Sequence, residues 1–160
     1  MKLLAALIAG SIALTSTITT TAVAADAPDP EMLAVAERVA RFIETLDAAE
    51  IADVFADRDV TIIENFAPYR FDGATALDAW ASGMRAHREA TTDLHHAFGA
   101  PQDYSRTGDQ AFFSLPTTWT GRFRATPFTE TGGWAFVLTR QNDRWRIQSY
   151  GWAVTSITTP

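Results

Sequence analysis

The C-terminal stretch from 127 to 155 constrains the fold of this chain more than any other part of the sequence. It contains two long runs rich in aromatic and β-branched residues, PFTETGGWAFVLTR and RWRIQSYGWAVT, on either side of the polar turn QND. This composition predicts two long antiparallel strands joined by a tight turn. The stretch also holds Trp134, Trp145 and Trp152. Their large aromatic area favours packing of the upstream helical segments against this sheet.

The first 24 residues have a different composition from the rest of the chain. Lys2 precedes an apolar run from 3 to 14, and a Ser/Thr-rich stretch then ends in the small-residue triplet 22–24. The run is shorter than the roughly 20 residues that a membrane span needs, and the triplet suits a signal peptidase. We therefore expect a signal peptide at 1–24 and a single periplasmic or secreted domain at 25–160. A retained N-terminal anchor is the alternative.

Charge and cysteine content exclude several classes of function. The chain has a formal net charge of −6 at pH 7, and it contains no cysteine. An acidic protein of this size is poorly suited to nucleic acid or to an anionic membrane surface. The lack of cysteine rules out thiol catalysis and cysteine metal sites.

The N-terminal half of the chain has the patterns of helices. Asp29, followed by Pro30, predicts the start of the first helix, and Asp47 predicts the start of a second one. A third helix is expected from about 74 to 88, and a strand from 60 to 66 lies before it.

From residue 91 onward the pattern is extended. We expect strands at about 91–104, 109–122, 127–140 and 144–155. Pro116 predicts an edge or a bulge, and Gly132-Gly133 predict a bulge that curves the sheet. The fold class is therefore α+β, with a curved antiparallel sheet that wraps around the helices as a cone with an open mouth.

Two segments of the chain resemble the nuclear transport factor 2-like superfamily, in its SnoaL-like branch. They are VTIIENFAPYRFDGATALDAW and GGWAFVLTRQNDRWRIQSYGWA, and the resemblance extends over roughly 30–155. It implies the cone-shaped fold, which ketosteroid isomerases, scytalone dehydratases, limonene epoxide hydrolases and polyketide cyclases share with many non-catalytic domains. The catalytic motifs of these enzymes have no clear counterpart here, so no residue is carried over as catalytic.

Glu64 and His96 are the candidates for acid–base chemistry. In a regular strand Glu64 shares a face with Val60 and Ile62, and a carboxylate that points into the cone would be desolvated and able to act as a general base. His96 shares a face with Leu94 and could act with Glu64. The alternatives are a Glu64 that faces water or pairs with a surface arginine, and a His96 that is a hydrogen-bonded structural residue.

The remaining candidates concern a ligand pocket. Trp80, Met84, Phe113 and Trp119 could line a cavity, although the same pattern is also typical of an ordinary core. Neighbouring residues on a strand point to opposite faces, so His95 and His96 are not expected to bind one metal ion. We expect neither a metal nor a cofactor.

Three functions are compatible with these patterns. The first is an exported domain that binds a small apolar molecule in its cone without chemistry. The second is a cofactor-free lyase, isomerase or cyclase that uses Glu64 and His96. The third is a structural dimerisation module. Regular alternation along the last strand puts Tyr150 and Trp152 on the outer face of the sheet, so we expect a homodimer with these residues at its interface.

Overall fold

The computed structural model describes residues 27–160, so the expected signal peptide lies outside the described residues. Helix α1 spans Pro30–Thr45 and helix α2 spans Ala76–His87, with a short 3₁₀ helix at Ala48–Ile51 between them. Within the described part of the chain, no helix is long and apolar enough to cross a membrane.

Seven strands form one curved sheet around the helices. The strands are β1 Thr61–Ile63, β2 Arg70–Asp72, β3 Thr91–Phe98, β4 Gln102–Thr107, β5 Gln110–Phe123, β6 Thr126–Gln141 and β7 Arg144–Thr158. Their order is β2-β1-β7-β6-β5-β3, and β4 also pairs with β5. All pairs are antiparallel except β1 with β7. This architecture confirms the α+β fold class expected from the sequence.

The capping residues expected for the helices are in place. The Asp29 side chain accepts a hydrogen bond from the Glu31 backbone N–H at 2.9 Å, and the Asp47 side chain accepts one from Ala49 at 2.9 Å. Asp47 caps a single 3₁₀ turn rather than a full second helix. The expected strand at 91–104 is two strands, because the chain breaks between β3 and β4 opposite Pro116. The Pro116 carbonyl oxygen accepts a hydrogen bond from the Gly99 backbone N–H. The Pro116 nitrogen, which carries no hydrogen, points to the same side, towards this break.

The last strand contains a bulge that changes which residues face the core. Leu138 pairs with Ile147 and Val137 pairs with Ser149, so Gln148 is an extra residue in β7. One extra residue reverses the alternation of side chains. Trp145 and Ile147 face inward before the bulge, and Tyr150 and Trp152 face inward after it.

The expectation that Tyr150 and Trp152 lie on the outer face is therefore wrong. Tyr150 is 2% exposed and Trp152 is 8% exposed, and both are packed in the core. Neither side chain is available for an interface across the outer face of the sheet. The homodimer itself stays a prediction, without these two residues as its contacts.

Gly132 allows Trp152 to pack across β6. The pairing shifts between Thr131 and Gly132, which is the irregularity that the Gly132-Gly133 pair predicts. A Cβ atom at Gly132 would lie 2.3 Å from the carbonyl oxygen of Ala153 and 2.5 Å from the Trp152 ring, whereas one at Gly133 would meet nothing within 4 Å.

We expect Gly132→Ala to destabilise the domain by roughly 1–3 kcal/mol, because both the backbone and the Trp152 ring must move. Gly133→Ala is the matched control and should cost clearly less, since its methyl group has open space. Urea unfolding of the two variants measures the difference. Equal midpoints would contradict the close approach of β7 at Gly132.

Candidate functional site

Glu64 is a buried carboxyl group just after strand β1. Ile62 in β1 pairs with Tyr150 in β7 and faces the core, and the alternation that continues beyond β1 turns Glu64 to the same side. Its backbone N–H donates to the Tyr69 carbonyl at 3.0 Å, which closes the loop between β1 and β2. Glu64 is only 5% exposed, so the chain holds an acidic side chain inside its core.

Two aromatic side chains bind one oxygen of this carboxyl group. The indole Nε1 of Trp80, on α2, donates to Glu64 Oε1 at 2.9 Å, and the Tyr150 hydroxyl donates to the same oxygen in a short hydrogen bond. Oε2 makes no hydrogen bond to the described residues. One oxygen is therefore fixed by the protein, and the other is left for a ligand or for water.

Burial raises the pKa of Glu64 to about 7, and the hydrogen bonds from Tyr150 and Trp80 oppose this rise only in part. The nearby Glu130 carboxylate raises the pKa of Glu64 further. Burial also raises the pKa of Tyr150 well above its usual value, so Tyr150 stays protonated as a donor. A carboxyl group with a pKa near 7 can both take up and release a proton at neutral pH.

Glu64 lines a small cavity between the helices and the inner face of the sheet. The cavity has a volume of about 80 Å³, well below the roughly 300–1,000 Å³ of pockets for drug-sized ligands. Its apolar wall includes Ile43, Met84, Leu94, Trp119, Phe128 and Trp134. Its polar lining is Glu64, Asn65, His87, Arg88, Thr91 and Glu130. The cavity suits a small molecule that is mostly apolar and has few polar groups.

Two basic side chains approach this cavity from the end of α2. His87 stacks on Phe66 with ring centroids 4.6 Å apart, and burial lowers its pKa. Burial also lowers the pKa of Arg88, whose Nη1 donates to the carbonyl oxygens of Ile43 and Glu44 at the end of α1. Arg88 therefore joins the end of α2 to the end of α1.

The candidates from the sequence divide into three groups. Glu64, Met84 and Trp119 line the cavity. Trp80 does not line the cavity, but its indole donates to Glu64. Phe113 lies in the core against Phe136, with ring centroids 5.3 Å apart, and does not line the cavity.

His96 does not join Glu64. Its Nδ1 lies 2.6 Å from Glu44 Oε1, and its Nε2 lies 3.1 Å from Glu37 Oε2. Both carboxylates belong to α1, so His96 ties β3 to this helix, and the expected pair of Glu64 and His96 is not assembled around the cavity. His95 is exposed, as the alternation along the strand predicts. No group of three or more His, Asp or Glu side chains within 27–160 has the geometry of a metal site.

Sequence reasoning missed Tyr150, Glu130, His87 and Arg88 as residues of the site. Glu130 could have been found, because in a regular strand it shares a face with Trp134. The inward orientation of Tyr150 was not predicted, because the bulge at Gln148 reverses the alternation along β7.

Comparison with known proteins identifies the family of this chain. The family model described as SnoaL-like domain matches residues 30–151. The chain belongs to the SnoaL-like domain family. This confirms the resemblance to the nuclear transport factor 2-like superfamily. A search of curated proteins finds no significant match.

Solved structures of this superfamily share the fold with the SnoaL-like chain. A type 2 hexachlorocyclohexane dehydrochlorinase (LinA) has a TM-score of 0.70 at 10% identity, over 81% of this chain and 86% of that one. A ketosteroid isomerase-like protein from Shewanella frigidimarina has a TM-score of 0.62 at 19% identity, over 78% and 96%. A scytalone dehydratase-like protein from Novosphingobium aromaticivorans has a TM-score of 0.60 at 16% identity, over 80% and 86%. At these identities the similarity concerns the fold.

Proposed function

We propose that this SnoaL-like domain is a cofactor-free proton-transfer enzyme, of the isomerase or lyase type, that acts on a small and largely apolar molecule. The observation that carries the proposal is the buried carboxyl group of Glu64. Tyr150 and Trp80 hold Oε1, and Oε2 is left for a ligand in the cavity.

The environment of Glu64 is well suited to this role. A general base or acid is most effective when its pKa lies near the working pH, and burial brings the pKa of Glu64 to about 7. The surrounding aromatic side chains keep bulk water away from the carboxyl group, which strengthens its interactions with a bound molecule. A domain that only bound an apolar ligand would have no need of a desolvated acid here.

The names of three structural neighbours describe reactions that include proton transfer. One is a dehydrochlorinase, and others are similar to an isomerase and a dehydratase. Elimination and isomerisation both include the transfer of a proton from a carbon atom. This agreement supports the reaction type and leaves the substrate open.

Glu64→Gln tests the proposal directly. The protein is incubated in D₂O with small ketones, β-hydroxyketones and halogenated hydrocarbons, each class with and without an amino group, and proton NMR follows exchange, elimination or isomerisation. We expect the wild type to act on members of one class, with a rate that follows ionisation near pH 7. Glu64→Gln should lower that rate roughly 10²–10⁴-fold.

Glu50→Gln is the matched control, because Glu50 pairs with Arg41 away from the cavity. It should keep the wild-type rate. Turnover by Glu64→Gln at the wild-type rate would contradict the proposal. So would a wild type that exchanges no compound of any class.

A further inference from the structure

Glu130 is a second carboxyl group in the same cavity, and the proposed proton transfer does not use it. It lies on the inner face of β6 and is partly buried. Its Oε1 accepts a hydrogen bond from Trp152 Nε1 at 3.0 Å. Burial raises the pKa of Glu130, and the hydrogen bond from Trp152 opposes this rise.

Two side chains of strand β7 donate hydrogen bonds to the two carboxyl groups. Tyr150 binds Glu64 and Trp152 binds Glu130, and these two donors are two residues apart on β7 after the bulge. Positions two apart on a strand face the same side and lie about 7 Å from each other. Both carboxyl groups line the cavity, and the negative charge of Glu130 raises the pKa of Glu64.

The polar atoms that these two groups leave free are acceptors. Each carboxyl group offers only Oε1 to the protein, and Oε2 of neither makes a hydrogen bond to the described residues. Glu64 is more than nine-tenths buried while it lines the cavity, so its free oxygen has few waters to bind. A ligand with hydrogen-bond donors at this end of the cavity would satisfy them.

The positive charge at the other side of the cavity is that of Arg88, whose Nη1 is engaged while its buried Nε has no hydrogen-bond partner among the described residues. Arg88 Nη1 donates to the carbonyl oxygens of Ile43 and Glu44, and the Glu44 carboxylate is close enough to raise the pKa of Arg88. Burial lowers the pKa of His87, which favours its neutral form at neutral pH. Two carboxyl groups, Glu64 and Glu130, thus face the single guanidinium group of Arg88, so the excess charge at the cavity is negative when both are ionised.

We propose that the molecule bound in this cavity carries a protonated amine, and that Glu130 is the residue that recognises it. This inference rests on the proposed function only in placing the substrate in the same cavity. An ammonium group has three donors and no acceptor, which matches the free carboxyl oxygens. Its charge offsets the cost of two neighbouring acids in a partly buried site.

The aromatic wall fits the same ligand. Trp119, Trp134 and Trp152 line the cavity beside Glu130, and a cation above an aromatic face is attracted by the ring, most strongly by tryptophan. An alcohol would fill one acceptor without supplying charge. The ammonium group would bind at Glu130, and the attached carbon skeleton would extend towards Glu64.

Three probes of similar size test this inference, namely 1-propylamine, 1-propanol and propionate. Their affinities for the wild-type protein are measured at pH 8 by calorimetry or NMR titration. At this pH the amine is protonated, and the pH lies above the Glu64 pKa of about 7. We expect the amine to bind at least 10-fold more tightly than the alcohol, and propionate to bind most weakly. Glu130→Gln should reduce the preference for the amine to within about 2-fold, whereas Glu50→Gln should keep it.

Equal affinity for the three probes in the wild type would overturn the inference, and this comparison does not depend on the folding of any variant. A preference for propionate would also overturn it, because that result would assign recognition to Arg88. If Glu130→Gln retained the preference for the amine, Glu130 would not be the residue that recognises it. The amine preference and deuterium exchange are separate readouts. Deuterium exchange restricted to neutral compounds would contradict this inference alone. Amine binding without any deuterium exchange would contradict the proposed function alone.

Discussion

Replacement of Glu64 by glutamine is expected to abolish a loss of about 3 kcal/mol in the free energy of unfolding that the wild type undergoes as the pH rises. The pKa of Glu64 is raised by burial from 4.5 to about 7 in the folded state. Between these two values the folded protein binds more protons than the unfolded chain, so the free energy of unfolding falls as the pH rises. A difference of about 2.5 pKa units corresponds to about 3 kcal/mol. Glutamine does not ionise, and therefore this loss disappears in the variant.

Urea unfolding of wild type and Glu64→Gln at pH 4.5, 6, 7 and 8 measures this effect. The free energy of unfolding of the variant minus that of the wild type should grow through this range and level off above pH 7. Glu50→Gln controls for the loss of one surface charge and should show no such growth. The opposing contribution of His87, whose pKa burial lowers, is present in all three proteins and largely cancels. A constant difference from pH 4.5 to 8 would contradict the burial of an ionisable Glu64.

Replacement of Trp134 by alanine should destabilise the domain by roughly 3–5 kcal/mol. Trp134 is 2% exposed and lies at the centre of the aromatic core. Its ring lies 5.2–6.1 Å, between centroids, from the rings of Phe98, Trp119, Phe136, Tyr150 and Trp152. Removal of the indole leaves a cavity beside both Tyr150 and Trp152, which hold the two acidic groups.

Two variants control this prediction, and all three are compared by urea unfolding. Trp134→Phe keeps an aromatic ring and removes an indole N–H that is buried without a hydrogen-bond partner, so its cost should be well below that of alanine. Phe123→Ala removes an aromatic residue that is 48% exposed and should cost less than about 1 kcal/mol. If Trp134→Ala were no less stable than Phe123→Ala, the central position of Trp134 would be refuted.

The fold could be predicted from the sequence because its signals are local. The long strands β5, β6 and β7 follow from runs of aromatic and β-branched residues, and their observed bounds differ from the expected ones by a few residues. Asp29 and Asp47 cap turns as their positions predict. The break between β3 and β4 was missed, although Gly99 and Pro101 lie within it and are typical of a turn.

The site could be predicted only where the alternation along a strand is regular. Glu64 follows Ile62 with a period of two, which favours the inward orientation that the structure has, but the sequence left a Glu64 that faces water open. Beyond Gln148 the same rule failed, because an extra residue in β7 reverses the faces of the strand. A bulge depends on pairing with β6, and no local signal at Gln148 shows it. The assignment of Tyr150 and Trp152 to the outer face was wrong for this reason.

The partner of each candidate side chain depends on contacts between distant segments. His96 faces inward, as its position on β3 predicts, but the residues that meet it are Glu37 and Glu44 of α1. Glu130 and Glu64 are 66 positions apart and share a cavity because neighbouring donors on β7 bind both. Such a constellation becomes visible only after the register of the sheet is known.

The central claim is that Glu64 is a desolvated carboxyl group poised to transfer a proton at neutral pH. A carbon-detected NMR titration of ¹³C-labelled glutamate side chains, with the Glu64 signal assigned by its loss in Glu64→Gln, measures its pKa directly. We predict a midpoint at about 7 in the wild type and a higher one in Tyr150→Phe, because the Tyr150 hydrogen bond stabilises the charged form. A midpoint near 4.5 in both proteins would mean that Glu64 is solvated, and it would contradict the claim.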